Sequence, residues 1–348
     1  MSIHSLSTNT MLPSCLVIGG GISGLLAATL LQRNNILTTV LDKGRGIGGR
    51  LATRRIENPP QGEGIFDYGA QSFTVTDPKF KVWVDDWIQQ DVVEAWSDGF
   101  PCTDGQIKKG DGYYYRGIDS NRSIAEYLAK DLEVYTSTRI VKLQRRHSQW
   151  VAQVKDGTEF QGDIVVMTAP LPQSRKLLKE SDIALTSKFK QRLERIDYDP
   201  CITVMALLKE PSQIPDPGGL WLDGTVLSWI GCNYQKGISP DGYAVTLHAS
   251  PEFSRIHWED ENEDLVSQLL AAAAPWLPSE AIECQLHRWR YSQPHTVYGE
   301  PYVVLQSPGP IVLAGDAFLS GTIEGAALSG IAAANYVLSS PLGKLINR

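Results

Sequence analysis

The chain has 348 residues, a formal net charge of −7, 42% hydrophobic and 20% charged residues. That length exceeds one ordinary core and points to about two domains, and the composition excludes bulk disorder, collagen and coiled coil. An acidic chain without a Lys/Arg cluster is a poor partner for nucleic acid or an anionic membrane. Five widely spaced cysteines, Cys15, Cys102, Cys201, Cys232 and Cys284, show no C-x-x-C and no metal-ligand spacing with His. They fit a reducing cytoplasm, with no disulfide scaffold and no metal site.

Residues 1–11 read as a disordered leader rather than a signal peptide, since they carry no Lys or Arg. Cys15–Ile18 is a short apolar run, as in a fully buried strand. A helix is expected from Ile22 to about Arg33, then a strand over Thr38–Leu41 that ends at Asp42. This is one strand–helix–strand unit. Residues 43–64 read as a loop with a short helix, Phe80–Trp96 as an amphipathic helix, and Ser123–Leu132 as a helix capped by Ser123 or Asn121. Strands are expected at Glu133–Tyr135, Arg139–Arg145, Trp150–Lys155 and Asp163–Met167, with Asp156-Gly157 a hairpin turn. From about 173 to 300, helical pieces (174–180, 186–195, 261–274) alternate with aromatic strands (201–208, 225–231, 243–249, 283–290). That pattern is a second domain with a mixed or antiparallel sheet. At Ile311–Ala314 a buried-strand pattern returns, followed by Gly315-Asp316 and a Gly/Ala-rich helix to about Leu338. No run of apolar residues is long enough for a membrane helix.

Gly19, Gly21 and Gly24 satisfy G-x-G-x-x-G between strand and helix. The first allows the tight turn, the second lets a pyrophosphate approach the backbone, and the third lets helix and strand pack closely. The helix start around Ile22 and Ser23 offers free N–H groups to phosphate. Asp42 stands where an acid accepts hydrogen bonds from a ribose. This motif alone does not separate FAD from NAD. The next segment, Lys43-Gly44-Arg45-Gly46-Ile47-Gly48-Gly49-Arg50, adds two guanidinium forks and glycines that open the backbone. Only one dinucleotide fingerprint occurs, so a nicotinamide would enter as a substrate.

The D-K-x-x-x-x-G-G-R run resembles the second fingerprint of the FAD-dependent amine oxidase superfamily. Three further segments, Asp67–Thr74 (DYGAQSFT), His287–Pro294 (HRWRYSQP) and Leu319–Ala326 (LSGTIEGA), resemble the motifs of the renalases. The resemblance spans the chain after residue 12. It implies an α/β fold, in which a Rossmann-like FAD-binding domain of para-hydroxybenzoate-hydroxylase type carries a second α+β substrate domain. The expected parts are 12–75, 119–171 and 305–342 for FAD, and 76–118 and 172–304 for substrate.

By carry-over, Gly19, Gly21, Ile22, Ser23, Gly24, Asp42, Lys43, Arg45, Gly48, Gly49, Arg50, Gln71, Ile140, Gly315, Asp316, Ile323, Glu324, Gly325 and Ala326 would line FAD. In such flavoproteins the acid matching Asp316 holds the ribityl chain, and the helix from Ile323 points its N-terminus at the flavin. No cysteine lies in this last block, so FAD would be non-covalent. His248 and Trp289 match renalase positions near the flavin face, with Trp229 and Tyr291 as further candidates. The remaining histidines, His287 among them, receive no role.

Renalases oxidise 2- and 6-dihydro isomers of NAD(P) to NAD(P)+, and oxygen then reoxidises the flavin to give hydrogen peroxide. The implied partners are that small substrate and oxygen, with no protein partner evident. The alternatives are a flavin amine oxidase or desaturase-like enzyme, for which a lysine near the flavin would be wanted, and a non-catalytic flavin-binding protein.

Overall fold

A computed structural model describes residues 12–58 and 62–340; the expected leader at 1–11 lies outside them. The apolar run at the start forms the strand Ser14–Ile18, buried on both faces and paired in parallel with Leu37–Leu41 and Ile164–Met167. Six strands make this sheet, in the order Val303–Leu305, Ile311–Leu313, Ile164–Met167, Ser14–Ile18, Leu37–Leu41 and Glu133–Tyr135. All neighbours are parallel except the Val303–Leu305 edge. Buried parallel strands need apolar residues on both faces, as the Ile164–Met167 sequence IVVM supplies.

Helix Ile22–Arg33 packs against helix Ile323–Ser339 at backbone distance. A Cβ on Gly330 would lie 2.1 Å from the Ser23 carbonyl oxygen, so the small residues of the last helix are a packing requirement. The crossover from Glu133–Tyr135 to Ile164–Met167 runs through a three-stranded antiparallel meander, Ile140–Arg146, Gln149–Val154 and Glu159–Gly162. Its last turn holds Gly157 at φ +93°, as expected of Asp156-Gly157. The Glu159–Gly162 strand was not foreseen.

The second sheet is wholly antiparallel: Gly219–Trp221, Leu227–Cys232, Tyr243–Ala249, Tyr198–Leu208 and Ala281–Pro294. The Tyr198–Leu208 strand shows period-2 sorting. Ile202, Val204, Ala206 and Leu208 pack with helix Asn262–Ala273, whereas Met205 and Leu207 meet Ile56 and Phe66 on the opposite face. Cys201 and Thr203 share that second face, which looks toward the first sheet's loops.

Three expectations are corrected. The helix expected over Phe80–Trp96 is Pro78–Gln89, started by an Asp77 carboxylate that accepts from the Lys79 amide at 2.7 Å. It stops because Asp91 turns left-handed (φ +55°) and Val92-Val93 open a strand, Val93–Pro101. That strand pairs with Ile107–Gly117, a segment too glycine-rich and charged to read as a strand from sequence. The helix expected from Ser123 is Asn121–Ala129 with Ser120 at the cap position; Asn121 instead accepts from the Gly117 amide and Ser123 donates to the Ser120 carbonyl. The loop at 43–64 holds the expected short helix, Gly49–Leu51, but also half a hairpin, Thr53–Asn58 with Gly62–Asp67.

Candidate active site

The glycines of the first turn do three different things. Gly19 sits at φ +118°, where an L side chain is strained, and its Cβ would lie 2.7 Å from Thr168 Oγ1. A Cβ on Gly24 would fall 1.9 Å from the Gly19 carbonyl oxygen. A Cβ on Gly21 would meet only the Gly48 carbonyl oxygen, at 4.0 Å, so this position has room. Helix Ile22–Arg33 has no side-chain cap, and its first intrahelical bond runs from the Leu25 amide to the Gly21 carbonyl at 2.9 Å. The amides of Ser23 and Gly24 have no acceptor within the helix, as an anion site requires. Ser23 Oγ is buried without a partner among the described residues.

Asp42 folds this region together. Its carboxylate accepts from the Gly20 and Gly44 amides, each at 2.6 Å, and its carbonyl accepts from the Thr138 amide at 2.7 Å. Two carboxylate lone pairs stay free for a ribose. The Thr138 bond also brings the buried Ile140 beside the loop. Lys43 and Arg45 are exposed at its rim. Gly48 and Gly49 are both left-handed, at φ +100° and +57°, and the Gly48 amide donates to the Gly20 carbonyl at 2.7 Å. Sequence reasoning missed Arg122, whose guanidinium carbon lies 3.6 Å from the position of a Gly46 Cβ.

Arg50 and Asp316, 266 residues apart, meet at 2.5 Å. Arg50 also donates to the Tyr291 and Ser292 carbonyls at 3.3 and 3.0 Å. The other Asp316 oxygen accepts from the Tyr198 hydroxyl at 3.0 Å. Burial and the adjacent Asp316 push the Tyr198 phenol well above its ordinary range, so it stays protonated and donates. Tyr198 carried no sequence signal. Gly315 is left-handed (φ +127°) and its amide donates to Ser329 Oγ at 2.8 Å.

At the last helix, Thr322 Oγ1 accepts from the Gly325 amide at 3.0 Å. The Glu324 side chain is committed elsewhere: Oε1 accepts from the Thr76 and Asp77 amides at 2.7 and 2.8 Å, and Oε2 from the Thr76 hydroxyl at 2.7 Å. Glu324 therefore staples this helix to the start of Pro78–Gln89, and what it and Ile323 can offer a ligand is backbone N–H. Ala326 is buried in the core. Gln71 lies with its Nε2 donating to the Asp67 carbonyl at 2.5 Å and its Oε1 buried without a partner among the described residues.

The substrate-facing candidates separate. His248 Nε2 and Trp289 Nε1 both point at the Tyr68 carbonyl oxygen, at 3.3 and 2.9 Å. The Tyr68 ring stacks on Trp289, with centroids 5.2 Å apart. His287 joins them edge-on, 4.3 Å from Trp289 and 5.1 Å from Tyr68. Arg54 lies over the Tyr68 ring at 5.1 Å and donates to Gln285 at 3.1 Å. In the sheet, Trp229, His248, Thr203 and His287 form one cross-strand row, so they share a face. Trp229 is nonetheless packed into an aromatic cluster with Trp96, Phe100 and Trp221. Tyr291 sits apart, its ring edge-on to Tyr198 at 5.6 Å.

His287, left without a role above, thus packs in the same aromatic cluster as Tyr68 and Trp289. Its position two residues before Trp289 on a strand was the signal, because period 2 puts both on one face. Burial lowers both imidazoles to about 4, opposed at His248 by the Tyr68 carbonyl and reinforced by Lys236, and reinforced at His287 by Arg54. A neutral His248 bonded to a carbonyl carries its proton on Nε2. Nδ1 is then an acceptor, and it has no partner among the described residues.

An unfolded chain binds protons on both histidines below pH 6.5, and the folded chain does so only near pH 4. Stability should therefore fall as pH falls through that window and be unaffected by these groups above it. His248→Asn should remove roughly 2–3 kcal/mol of that acid-side loss. Unfolding midpoints at pH 7 and pH 4.5 check this; an unchanged difference in the variant would show that His248 does not stay neutral.

The sequence model of the family described as flavin containing amine oxidoreductase matches residues 103–338. The chain belongs to that family. It is a flavin-dependent oxidoreductase with an NAD(P)-binding Rossmann-like domain, matched over residues 17–87. Renalase of Mus musculus is 24% identical over 337 residues, covering 91% of this chain and 96% of the relative. Among solved structures, putrescine oxidase with bound putrescine superposes with a TM-score of 0.71 at 13% identity, covering 95% of this chain and 100% of the other. Cyclohexylamine oxidase of Brevibacterium oxydans IH-35A gives 0.70 at 12% identity, covering 97% and 100%. These structures share the fold. No described helix is long and apolar enough to cross a membrane.

Proposed function

We propose that the protein oxidises 2- or 6-dihydro isomers of NAD(P) to NAD(P)+, with non-covalent FAD as cofactor and oxygen as final acceptor, releasing hydrogen peroxide. The observation that carries this reading is the charge of the site. Two neutral imidazoles, Tyr68 and Trp289 form its wall, and Arg54 is the cation in contact with it. The carboxylate next to Tyr68 in the chain, Asp67, is already bonded to Lys236 at 2.6 Å. An amine arriving as a cation is disfavoured by Arg54, and Lys236, the lysine at this site, is tied to Asp67 and the Gln71 carbonyl. An uncharged dihydropyridine on an anionic nucleotide is not disfavoured.

FAD supplies the two-electron acceptor. The residues that would hold it are the Gly19–Gly24 turn and Asp42 for the nucleotide, Arg45 and Arg50 for phosphate, Asp316 for the ribityl chain, and the Ile323 and Glu324 amides for the ring, the Gly325 amide being taken by Thr322. The unpartnered Ser23 and Gln71 oxygens and the room at Gly21 support a polar ligand there. The cofactor would then belong to 12–75, 119–171 and 305–342, and the substrate to 76–118 and 172–304.

The protein's part is orientation and dryness. A dihydropyridine regains aromaticity on losing hydride, so no strong base is required. Trp289 and Tyr68 offer an apolar face to a planar ring, and His248 Nδ1 can accept an N–H from a carboxamide. The wide spacing of the five cysteines is our ground for a cytoplasmic location, and burial pushes the Cys201 and Cys284 thiols up to about 11.

Anaerobic titration of the purified flavoprotein tests the proposal. Rapid bleaching by a 2- or 6-dihydro isomer, NAD(P)+ formation, and peroxide on admitting air are expected. Bleaching by amines alone would overturn it in favour of an amine oxidase.

A further inference from the structure

We propose that Lys236 is a positioning residue: by bonding Asp67 and Gln71 together it holds the Tyr68 carbonyl where that oxygen orients His248 and Trp289. This rests on His248 and Trp289 facing the donor. Lys236 and Asp67 are 1% and 0% exposed, yet 169 residues apart in sequence. The ammonium donates to Asp67 Oδ2 and to the Gln71 carbonyl, each at 2.6 Å, and its remaining side lies 5.0 Å from the Trp96 ring. The two acceptors bracket Tyr68 in the chain. A loop of five residues clamped at both ends leaves its intervening carbonyls little freedom, and Tyr68's is the one that takes both ring N–H groups.

The rest of the network serves the same loop. Asp67 Oδ1 accepts from the Thr53 hydroxyl at 2.6 Å and the Asn121 amide at 3.1 Å, and the Asp67 amide donates to Asn233 at 3.3 Å. The Asp67 carbonyl accepts from Thr246 at 3.0 Å and from Gln71 Nε2. Asn121 Nδ2 donates to the Ala70 carbonyl at 2.7 Å. The other charge near Lys236 is Arg116, which is paired with Glu94. A buried ion pair by itself contributes little net stability. Its retention here fits a specificity role, because an apolar pair could not reach the Gln71 carbonyl.

The test separates positioning from mere stability. Lys236→Met strands the Asp67 charge and should lower the thermal midpoint. The double variant Lys236→Met/Asp67→Asn removes that charge and should recover most of the midpoint. Its limiting rate of flavin bleaching, with 6-dihydro-NAD and putrescine as probes, should stay at least tenfold below the parent. Near-ultraviolet circular dichroism of the flavin-free double variant should lose the signal of the Tyr68–Trp289 stack, a readout that needs no turnover. Recovery of rate or dichroism together with the midpoint overturns the inference. His248→Ala and Trp289→Ala run alongside: if neither slows bleaching, the site reading falls and this inference with it. If they slow it and the double variant does not, only this inference falls.

Discussion

Asp316→Ala should strip the protein of its flavin and destabilise it by about 2–4 kcal/mol. The side chain is 5% exposed and both oxygens are used, one by Arg50 at 2.5 Å and one by the Tyr198 hydroxyl at 3.0 Å. Removing the carboxylate leaves a buried phenol without an acceptor. It also leaves a guanidinium with no counter-charge, although Arg50 keeps 29% of its side chain in solvent, which softens the loss. That guanidinium then relies on the Tyr291 and Ser292 carbonyls alone. Asp316→Asn should fall between, because an amide oxygen still accepts from Tyr198 while the charge is gone. The ratio of flavin to protein absorbance after gel filtration, with a chemical unfolding curve, reads both effects. An alanine variant that stays fully yellow and as stable as the parent refutes this placement.

Gly21→Ala and Gly24→Ala should fail in opposite ways. At Gly24 the new methyl would stand 1.9 Å from the Gly19 carbonyl oxygen and 2.6 Å from Thr168 Oγ1. Backbone cannot yield there without moving helix Ile22–Arg33 off the sheet, so a stability loss of about 3 kcal/mol is expected. At Gly21 the methyl meets only the Gly48 carbonyl oxygen, at an unstrained 4.0 Å, and the backbone is extended at φ −82°, ψ 179°, which alanine adopts freely. Stability should be unchanged or slightly higher. Flavin retention should still collapse, because the methyl occupies the face a pyrophosphate must approach. Equal stability of the two variants, or a yellow Gly21→Ala, would show that the two glycines do not have these separate tasks.

The sheet-and-helix frame was legible because its signals are local. Cys15–Ile18, the glycines after it and the Leu/Ala run to Arg33 lie within about one strand–helix unit, and each residue's neighbours in sequence are its neighbours in space. The Asp42 contact follows from the same locality: it bonds the Gly20 amide 22 residues away, a distance set by one helix and one strand. Where the frame was misread, the local signal was ambiguous. Val92-Val93 ended a helix that its tryptophans appeared in sequence to prolong, and Ile107–Gly117 becomes a strand only because Val93–Pro101 offers its ladder.

Sequence by itself determined the dinucleotide turn, the acid at the end of the second strand, the Gly-Asp and Gly/Ala blocks at the end, and the family those segments resemble. Tertiary structure decided which side chains share the site. Tyr68 meets His248 and Trp289 across 180 and 221 residues, Lys236 meets Asp67 across 169, and Glu324 turns away to hold Thr76 across 248. No periodicity or motif spans such separations. They are set by how an antiparallel sheet and a parallel one close on each other, and by the need of each buried polar group for a partner.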